Sequence, residues 1–294
     1  MDIRELGIGQ VFDVPLSEIS GLGRRPTGER DGIRLTALGD DEFTVLEVTL
    51  PSLEGPLRCE RFRLQEELGT QREGGSSQWE AADGDASGNV FVLQESPLRV
   101  FVLGPHLDRR VCTIDMTLTD SERTELGWET DENARGEGLV LLADSHLLVA
   151  KEKDPVVLME FGPRDHLPGG FGRNRLLDIT DRFDVPEDGA EFGLLTSWFM
   201  DDESAELIGD VSDIAVGPGA DELFLLSDES RCIARIEPAL RPESDRLHLS
   251  AAWKLPDEIR QPEGLVVLDD RTPVVAIDKE DHEQNLFVLD ALPS

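Results

Sequence analysis

Short runs of apolar residues recur along the whole chain, and most of them alternate with polar residues at a period of two. The runs that begin at Asn89, Leu98 and Arg110 follow one another with turn-like gaps between them. Gly, Pro, Asp and Asn bound these runs, which is typical of short antiparallel strands joined by turns. Two stretches, Glu66–Gln71 and the residues around Thr119–Thr124, have a pattern that fits a helix. The sequence therefore predicts an all-β fold.

A larger unit recurs five times. Each unit begins with a Ser or Glu ahead of an apolar strand, and we call these positions the marker residues: Ser20, Glu80, Glu137, Ser212 and Glu263. A second apolar strand then ends in an acid, and we call these positions the strand-end acids: Asp40, Glu95, Glu152, Asp228 and Asp278. A third strand follows in every unit. The intervals between successive markers are 60, 57, 75 and 51 residues.

This repeat length is close to that of a four-stranded propeller blade with generous loops. A single such sheet cannot bury both faces, whereas a ring of blades can. We predict one β-propeller domain over residues 1–294, with five blades of four antiparallel strands. The last unit stops after its third strand, and Gly9–Leu16 can supply the missing outer strand. The long interval leaves a sixth, degenerate blade within Arg164–Glu206 as an alternative; our preferred interpretation of 164–206 is a decorated outer hairpin.

Several short sequence motifs in the second half of the chain resemble those of a known family. Lys151–Pro155 (Lys-Glu-Lys-Asp-Pro) and Ser227–Arg231 (Ser-Asp-Glu-Ser-Arg) each follow their own marker, and Gln261–Leu265 (Gln-Pro-Glu-Gly-Leu) contains the last one. Over roughly residues 130–290 these strings resemble the SdiA-regulated, or YjiK-like, β-propeller family. In fold, that family resembles phytase-like and lactonase-like calcium propellers. The resemblance implies a propeller and says less about the activity.

The markers begin the innermost strands, so in a propeller they should ring the axis, with the strand-end acids nearby. Carboxylates at such close range cannot all stay ionised unaided, so they take up protons or a cation neutralises them. An all-oxygen ligand set suits Ca²⁺ best, with Mg²⁺ as second choice. We expect a divalent-cation site near the axis. The first-choice ligands are Glu80, Glu137 and Glu263, and the further candidates are Asp40, Glu95, Asp228 and Asp278.

Two functions remain open at this point. If the protein is an enzyme, metal-assisted hydrolysis or lyase chemistry fits best, with His282 or Glu152 as the base. His282 is the candidate histidine because it lies beside acids in a loop expected at the same mouth. The alternative is a non-catalytic interaction scaffold that docks a partner protein on Pro168–Phe171. In that case the strand-end acids only hold backbone N–H groups of the next blade.

The net charge of the chain limits the classes of partner that it can bind. The chain has 28 Lys and Arg against 62 Asp and Glu, a formal net charge of −34, so it should repel nucleic acids and anionic membranes.

Three scattered cysteines rule out a disulfide framework. The first residues lack the basic and apolar regions of a secretory leader, so we expect a cytoplasmic location. We expect a monomer whose partner is a small molecule or another protein.

Overall fold

The structure, a computed structural model, describes residues 4–26, 32–39, 43–51, 55–64, 68, 77–130, 135–172, 174–236, 240–243 and 246–293. Its strands are, in chain order, β1 (Arg4–Glu5), β2 (Ile8–Phe12), β3 (Ile19–Arg25), β4 (Ile33–Gly39), β5 (Thr44–Leu50), β6 (Arg58–Arg63), β7 (Trp79–Gly84), β8 (Val90–Gln94), β9 (Arg99–Leu103), β10 (Arg110–Thr117), β11 (Gly136–Leu142), β12 (His146–Lys151), β13 (Val157–Pro163), β14 (Ala190–Met200), β15 (Asp213–Val216), β16 (Leu223–Ser227), β17 (Cys232–Ile236), β18 (Arg246–Leu247), β19 (Leu249–Lys254), β20 (Pro262–Val267), β21 (Pro273–Ile277) and β22 (Leu286–Leu289). The helices are α1 (Asp120–Glu125) and α2 (Asp202–Ala205), and two 3₁₀ turns cover Ala143–Ser145 and Pro218–Ala220.

Within the described residues the strands form five four-stranded antiparallel groups, which we number as blades 1 to 5. Blade 1 is β3–β6, blade 2 is β7–β10, and blade 3 is β11–β14. Blade 4 is β15, β16, β17 and β19, and blade 5 is β20–β22 completed by β2. The innermost strands β3, β7, β11, β15 and β20 each contact the next, and β20 returns to β3. The chain therefore folds as a β-propeller, which confirms the all-β prediction.

The first and last parts of the chain close the ring together. Strand β2 pairs antiparallel with β22, with Ile8 opposite Leu289 and Phe12 opposite Leu286, so the closing strand begins one residue before the predicted segment Gly9–Leu16 and ends within it. The side chain of Asn285, fully buried, then ties down the residues that follow β2. Its Oδ1 accepts from the amide of Val14 at 2.7 Å, and its Nδ2 donates to the carbonyls of Val14 and Leu16 at 2.9 Å. This closure joins segments about 270 residues apart in sequence.

The hydrophobic core lies between blades. The alternating apolar residues of each blade divide into five buried clusters, and each cluster combines side chains from two successive blades. Leu22 and Leu35 of blade 1, for example, share a cluster with Val266 and Val274 of blade 5. Since each blade buries both faces in this way, the apolar runs stabilise the ring as a whole.

Small residues allow the inner strands to approach one another closely. A Cβ added to Gly21 in β3 would lie 2.6 Å from the carbonyl oxygen of Glu80 in β7. One added to Gly138 in β11 would lie 2.8 Å from the backbone nitrogen of Ile214 in β15. Neither position has room for a side chain, so these glycines keep the axial channel narrow.

Residues 164–189 connect β13 to β14, the outer strand of blade 3, and a buried carboxylate anchors this segment. Glu160 is fully buried and accepts from the amides of Gly169 and Gly170 at 2.9 Å. It also binds Nδ1 of the buried His146 at 2.6 Å, and Nε2 of His146 lies 3.0 Å from Nδ1 of His166. Our interpretation of 164–206 as a decorated outer hairpin stays a prediction.

The aromatic residue of the proposed docking edge points inward. Phe171 is 3% exposed and makes an edge contact with Trp198 at 5.8 Å between ring centroids. It also forms a β-bridge with Leu240, which lies between β17 and β19 of blade 4. Leu167, by contrast, is 84% exposed. A partner at this edge would therefore meet Leu167 rather than Phe171.

Helices are short. Thr119 caps α1 in a capping box, because its hydroxyl accepts from the Glu122 amide and the Glu122 carboxylate accepts from the Thr119 amide. This confirms the helix expected around Thr119–Thr124. Apart from Leu68, the second predicted helix, Glu66–Gln71, lies outside the described residues. Over the ranges that the structure describes, no helix has the length and apolarity needed to cross a bilayer.

Candidate functional site

The marker residues lie at the start of the innermost strands, as predicted, and most of them interrupt the strand ladder. In blades 1, 2, 3 and 5 the register shifts across the marker, so that Ser20, Glu80, Glu137 and Glu263 each occupy a β-bulge. In blade 4, Ser212 immediately precedes β15. A bulge breaks the two-residue alternation and redirects a side chain. The four bulges thus account for how polar residues within apolar strands reach the axis.

The backbone ahead of the bulges is also unusual. Glu18, Gln78 and Gln261, two residues before their markers in blades 1, 2 and 5, have φ of about 50°. A left-handed conformation is costly for residues with a side chain, and such positions cluster at ligand-binding sites. The same left-handed backbone conformation therefore recurs at equivalent positions of three blades, in addition to the recurring residue types.

The markers surround a cavity of about 250 Å³ at the mouth of the channel, which we call the axial cavity. Its lining consists of Glu18, Ser20, Glu80, Glu137, Glu152, Lys153, Asp210, Ser212, Asp228, Glu229, Glu263 and Asp278. Nine of these side chains are carboxylates. All five marker residues belong to this set, and so do three of the five strand-end acids.

Burial and mutual repulsion favour the protonated forms of two of these acids, Glu137 and Glu263. Loss of solvation raises the pKa of Glu137 well above its usual value, and the charges of Glu80, Glu95 and Glu263 raise it further. Burial likewise raises the pKa of Glu263, with added repulsion from Asp228 and Asp278. A cavity in which acids oppose each other's ionisation favours a proton or a cation as its occupant.

The four described strand-end acids follow their strands as predicted, and backbone contacts position three of them. The amides of Glu95, Glu152 and Asp278 donate at 2.8–3.0 Å to carbonyls just ahead of their own inner strands. The carboxylate of Asp228 accepts from the backbone of Gln261 in blade 5, and burial raises its pKa. This bond is what the scaffold alternative expects of a strand-end acid, namely that Asp228 holds a backbone N–H group of the next blade.

Glu152 combines a raised pKa with a cationic neighbour. Burial raises the pKa of its carboxyl group, while Lys153, 2.8 Å away, lowers it. The ammonium group of Lys153 also lies 3.4 Å from Glu229. Lys153 is the one cation among the described residues of the axial cavity lining.

Two further acids lie on the inner strands and bind the next blade. Asp83 accepts from the amides of Gly84 and of Leu141 in blade 3 at 2.8 and 3.0 Å. Asp213 makes the equivalent contacts with Ile214 and with Leu265 of blade 5, both at 2.7 Å. Burial raises the pKa of Asp83 to about 7 and that of Asp213 well above its usual value. The charges of Asp83 and Glu263 both act on Asp213, so acids continue from the cavity into the channel.

The marker serines also join blades. The Ser20 hydroxyl donates to the Trp79 carbonyl of blade 2, and the Ser212 hydroxyl donates to the Pro262 carbonyl of blade 5 at 2.6 Å. In both cases the acceptor immediately precedes the next marker. Ser20 and Ser212 therefore hold the ring together at the level where the glutamate markers line the cavity.

Two predicted residues, Glu95 and His282, are not among the described residues that line the axial cavity. Asp40 lies outside the described residues. Glu95 lines a neighbouring pocket instead, although its charge acts on Glu137. His282 is exposed in the loop between β21 and β22 and does not line the axial cavity, so its role as a base stays a prediction.

Glu18, Asp210 and Glu229 line the axial cavity although the sequence did not indicate them. Glu18 and Asp210 lie two residues ahead of Ser20 and Ser212, and Glu229 follows the strand-end acid Asp228, so proximity to the repeat was the available signal. Asp210, 2% exposed, accepts from the Ser227 hydroxyl and from the amides of Asp228 and Glu229. These contacts hold the turn after β16.

The ligand atoms of the cavity are of the type that binds a hard cation, but its described side chains are not arranged around a common point. Carboxylate and hydroxyl oxygens, the ligands that Ca²⁺ prefers, dominate the lining. However, no group of three or more His, Cys, Asp or Glu side chains among the described residues is arranged so that it could hold a metal ion. Metal binding would therefore require the glutamate side chains to turn towards a common point.

Comparisons with solved structures support the fold. Glutaminyl cyclase of Myxococcus xanthus superposes with a TM-score of 0.54 and 12% identity, over 97% of this chain and 96% of that one. Regucalcin of Agrobacterium tumefaciens strain C58, a calcium-binding protein, gives a TM-score of 0.51 and 10% identity, over 99% and 96% of the two chains. At such low identities, these similarities show the β-propeller fold alone. A search of curated proteins found no significant sequence match.

The family assignment comes from the sequence. The SdiA-regulated family model matches residues 74–277, which is more than two thirds of the chain. That span contains four of the five marker residues and the strings that prompted the resemblance. The chain therefore belongs to the SdiA-regulated family of β-propeller proteins.

Proposed function

We propose that the axial cavity binds a divalent cation, with Ca²⁺ favoured and Mg²⁺ as second choice, and that Glu80, Glu137 and Glu263 are its ligands. The observation that carries the proposal is the convergence of nine carboxylates on a cavity of about 250 Å³ with Lys153 as their cationic neighbour. The three glutamates are favoured because each stands at a bulge on an innermost strand.

Electrostatics supports this choice. Removing solvent from a carboxylate is costly unless a charge partner replaces the water. The raised pKa values of Glu137 and Glu263 show that this cost is not balanced by the protein's own groups. A divalent cation would balance it, and a cation with 6–8 flexible oxygen ligands tolerates a site built from long side chains. Regucalcin, a neighbour in fold, is a calcium-binding protein.

We further infer that a small ligand enters the same mouth, because the cavity is wider than a single ion needs. A bound Ca²⁺ would supply Lewis-acid chemistry, which suits hydrolysis or a lyase reaction. Glu152 is the residue of this chain best placed to accept a proton, because it lines the cavity and burial raises its pKa above the usual value. The ion pair with Lys153 keeps its carboxylate at a fixed place.

A non-catalytic scaffold is the second candidate, and the contact between Asp228 and Gln261 favours it. If the axial acids only join blades, as this one does, then neutralising them should weaken the fold. If they bind a cation, neutralising them should relieve repulsion in the metal-free protein. The two functions therefore predict opposite effects on stability.

The experiment uses Glu137→Gln and Glu263→Gln, with the exposed Glu258→Gln as matched control. After removal of metal with EDTA, melting temperatures are measured with and without Ca²⁺ or Mg²⁺, and calorimetry measures binding. We expect Ca²⁺ to raise the melting temperature of wild type and of Glu258→Gln. The cavity variants should melt higher than wild type without metal and lose the response to Ca²⁺. Absence of binding to wild type by both ions would refute the cation site, and lower melting of both variants would favour the structural role.

A further inference from the structure

A second cavity lies beside the axial cavity, and its charge is different. This side pocket has a volume of about 310 Å³ and is formed by the turn after β8, the end of β10 and the residues that follow it. Glu95 lines the side pocket and also acts on Glu137 in the axial cavity, so one acid adjoins both. Arg123 and Arg135 provide cationic groups in its wall.

The two arginines converge on one carboxylate. Nη1 of Arg123 lies 2.9 Å from Oε1 of Glu129, and Nη2 of Arg135 lies 4.0 Å from Oε2 of the same residue. The Glu129 side chain is 63% exposed, whereas that of Arg135 is 14% exposed. An exposed carboxylate is a weak and exchangeable partner. Glu129 therefore shows where a carboxylate can sit, and it is the one acid in the ion pairs of Arg123 and Arg135 among the described residues.

Arg135 has an additional unused donor. Its Nε is buried and has no hydrogen-bond acceptor among the described residues. Its guanidinium lies 5.9 Å from the ring centroid of Trp128, a contact that holds the group in place without accepting its hydrogen bonds. A buried charged donor without an acceptor is costly, and a planar carboxylate is the partner that a guanidinium fits best.

The rest of the wall combines apolar residues with two acids, of which Asp115 is paired with Arg99 at 2.9 Å and Glu95 is buried. Leu98, Met116 and Trp128 line the same pocket, and Trp128 and Met116 are buried. A cavity near 300 Å³ with apolar walls and a few placed polar groups has the properties of a small-molecule site. The combination of guanidinium groups and apolar walls selects for an anion on an apolar body.

We propose that the side pocket binds a small organic carboxylate, with its carboxylate on Arg135 and Arg123 and its apolar body against Trp128, Met116 and Leu98. Neither arginine lines the axial cavity, so binding does not depend on a cation there. The ligand displaces Glu129 from the arginine pair when it binds.

Phenylacetate and phenylacetamide test this assignment, because they differ in charge and share their shape. Calorimetry in EDTA measures both, so the outcome is independent of the axial cation. We expect the wild type to bind phenylacetate at least about tenfold more tightly than the amide, since hydrogen bonds from a guanidinium to an ionised carboxylate are stronger than those to a neutral amide. Arg135→Gln should weaken phenylacetate binding by at least about tenfold. Arg123→Gln, in the exposed helix α1, should also weaken phenylacetate binding. This variant provides the test if Arg135→Gln fails to fold.

Two further variants complete the test. Glu129→Gln removes the competing carboxylate and should tighten phenylacetate binding, a gain that damage to the fold would not produce. Arg109→Gln, an exposed arginine away from the pocket, should leave affinity unchanged. The proposal is wrong if acid and amide bind equally, if neither wild type nor Glu129→Gln binds phenylacetate at millimolar concentration, or if Arg123→Gln binds it as wild type does.

Discussion

Stability of the metal-free protein should fall as the pH rises from 5 to 8, and Asp83 should cause a measurable part of the fall. Burial raises the pKa of Asp83 to about 7 from an ordinary value of 3.8. The amides of Gly84 and Leu141 oppose this shift, but desolvation exceeds their effect. The folded protein therefore binds a proton at pH 5–6 that the unfolded chain has already released.

The sign and size follow from proton linkage. Where the folded state holds more protons than the unfolded state, the free energy of unfolding decreases as the pH rises. The shift of Asp83 is about three pH units at about 1.36 kcal/mol each, or at most about 4 kcal/mol in total. The loss begins above the unfolded pKa near 4 and is complete once the pH exceeds about 7. Asp213, Glu137 and Glu263 have raised pKa values and act in the same direction.

Urea unfolding in EDTA at intervals between pH 5 and pH 8 measures this dependence in wild type, in Asp83→Asn and in the exposed control Asp108→Asn. Asparagine cannot ionise, so Asp83→Asn should reduce the slope by up to about 1.4 kcal/mol per pH unit near pH 6. The variant also loses one acceptor for a backbone amide, which lowers stability at every pH without changing the slope. A slope equal to that of wild type in Asp83→Asn, or a wild-type stability that rises from pH 5 to pH 7, would refute the reasoning.

Three other substitutions test the closure of the ring, the packing of its inner strands and the anchoring of the segment after β13. Asn285→Ala leaves buried backbone groups of Val14 and its neighbours without partners, and should lower the free energy of unfolding in urea by about 3 kcal/mol. Gly21→Ala should destabilise by about 1–3 kcal/mol, because its Cβ would overlap the Glu80 carbonyl; an unchanged melting temperature would contradict such close packing of β3 on β7. Glu160→Gln weakens the anchor of the segment after β13, so limited proteolysis there should be about tenfold faster than in wild type, with unchanged cleavage elsewhere.

Much of the fold could be predicted because its signals are local and repeated. Alternation at a period of two identifies strands, and the recurrence of Ser20, Glu80 and Glu263 at the same point of each unit aligns the blades. A ring follows because a blade with two apolar faces needs a neighbour on both sides. The closing strand was also predictable, since the last unit lacks an outer strand and β2 supplies it.

The site was predictable only where its residues follow the repeat. Glu137, Glu152 and Asp278 were expected together, and all of them line the axial cavity. His282 had a favourable neighbourhood in sequence, yet its loop lies where the side chain is exposed and off the lining. Loop direction depends on contacts with other blades, which a single stretch of sequence does not contain.

Identity and spacing of residues along the chain determined the blade unit, the placement of markers on inner strands and the large excess of acid. Three things depended on the tertiary structure. Bulges turn Glu80, Glu137 and Glu263 towards the axis, although simple alternation does not indicate which face they occupy. Close packing of the inner strands puts acids from all five blades around one cavity. Burial then raises the pKa values of Glu137 and Glu263, because desolvation and repulsion depend on distances in space between residues that are far apart in sequence.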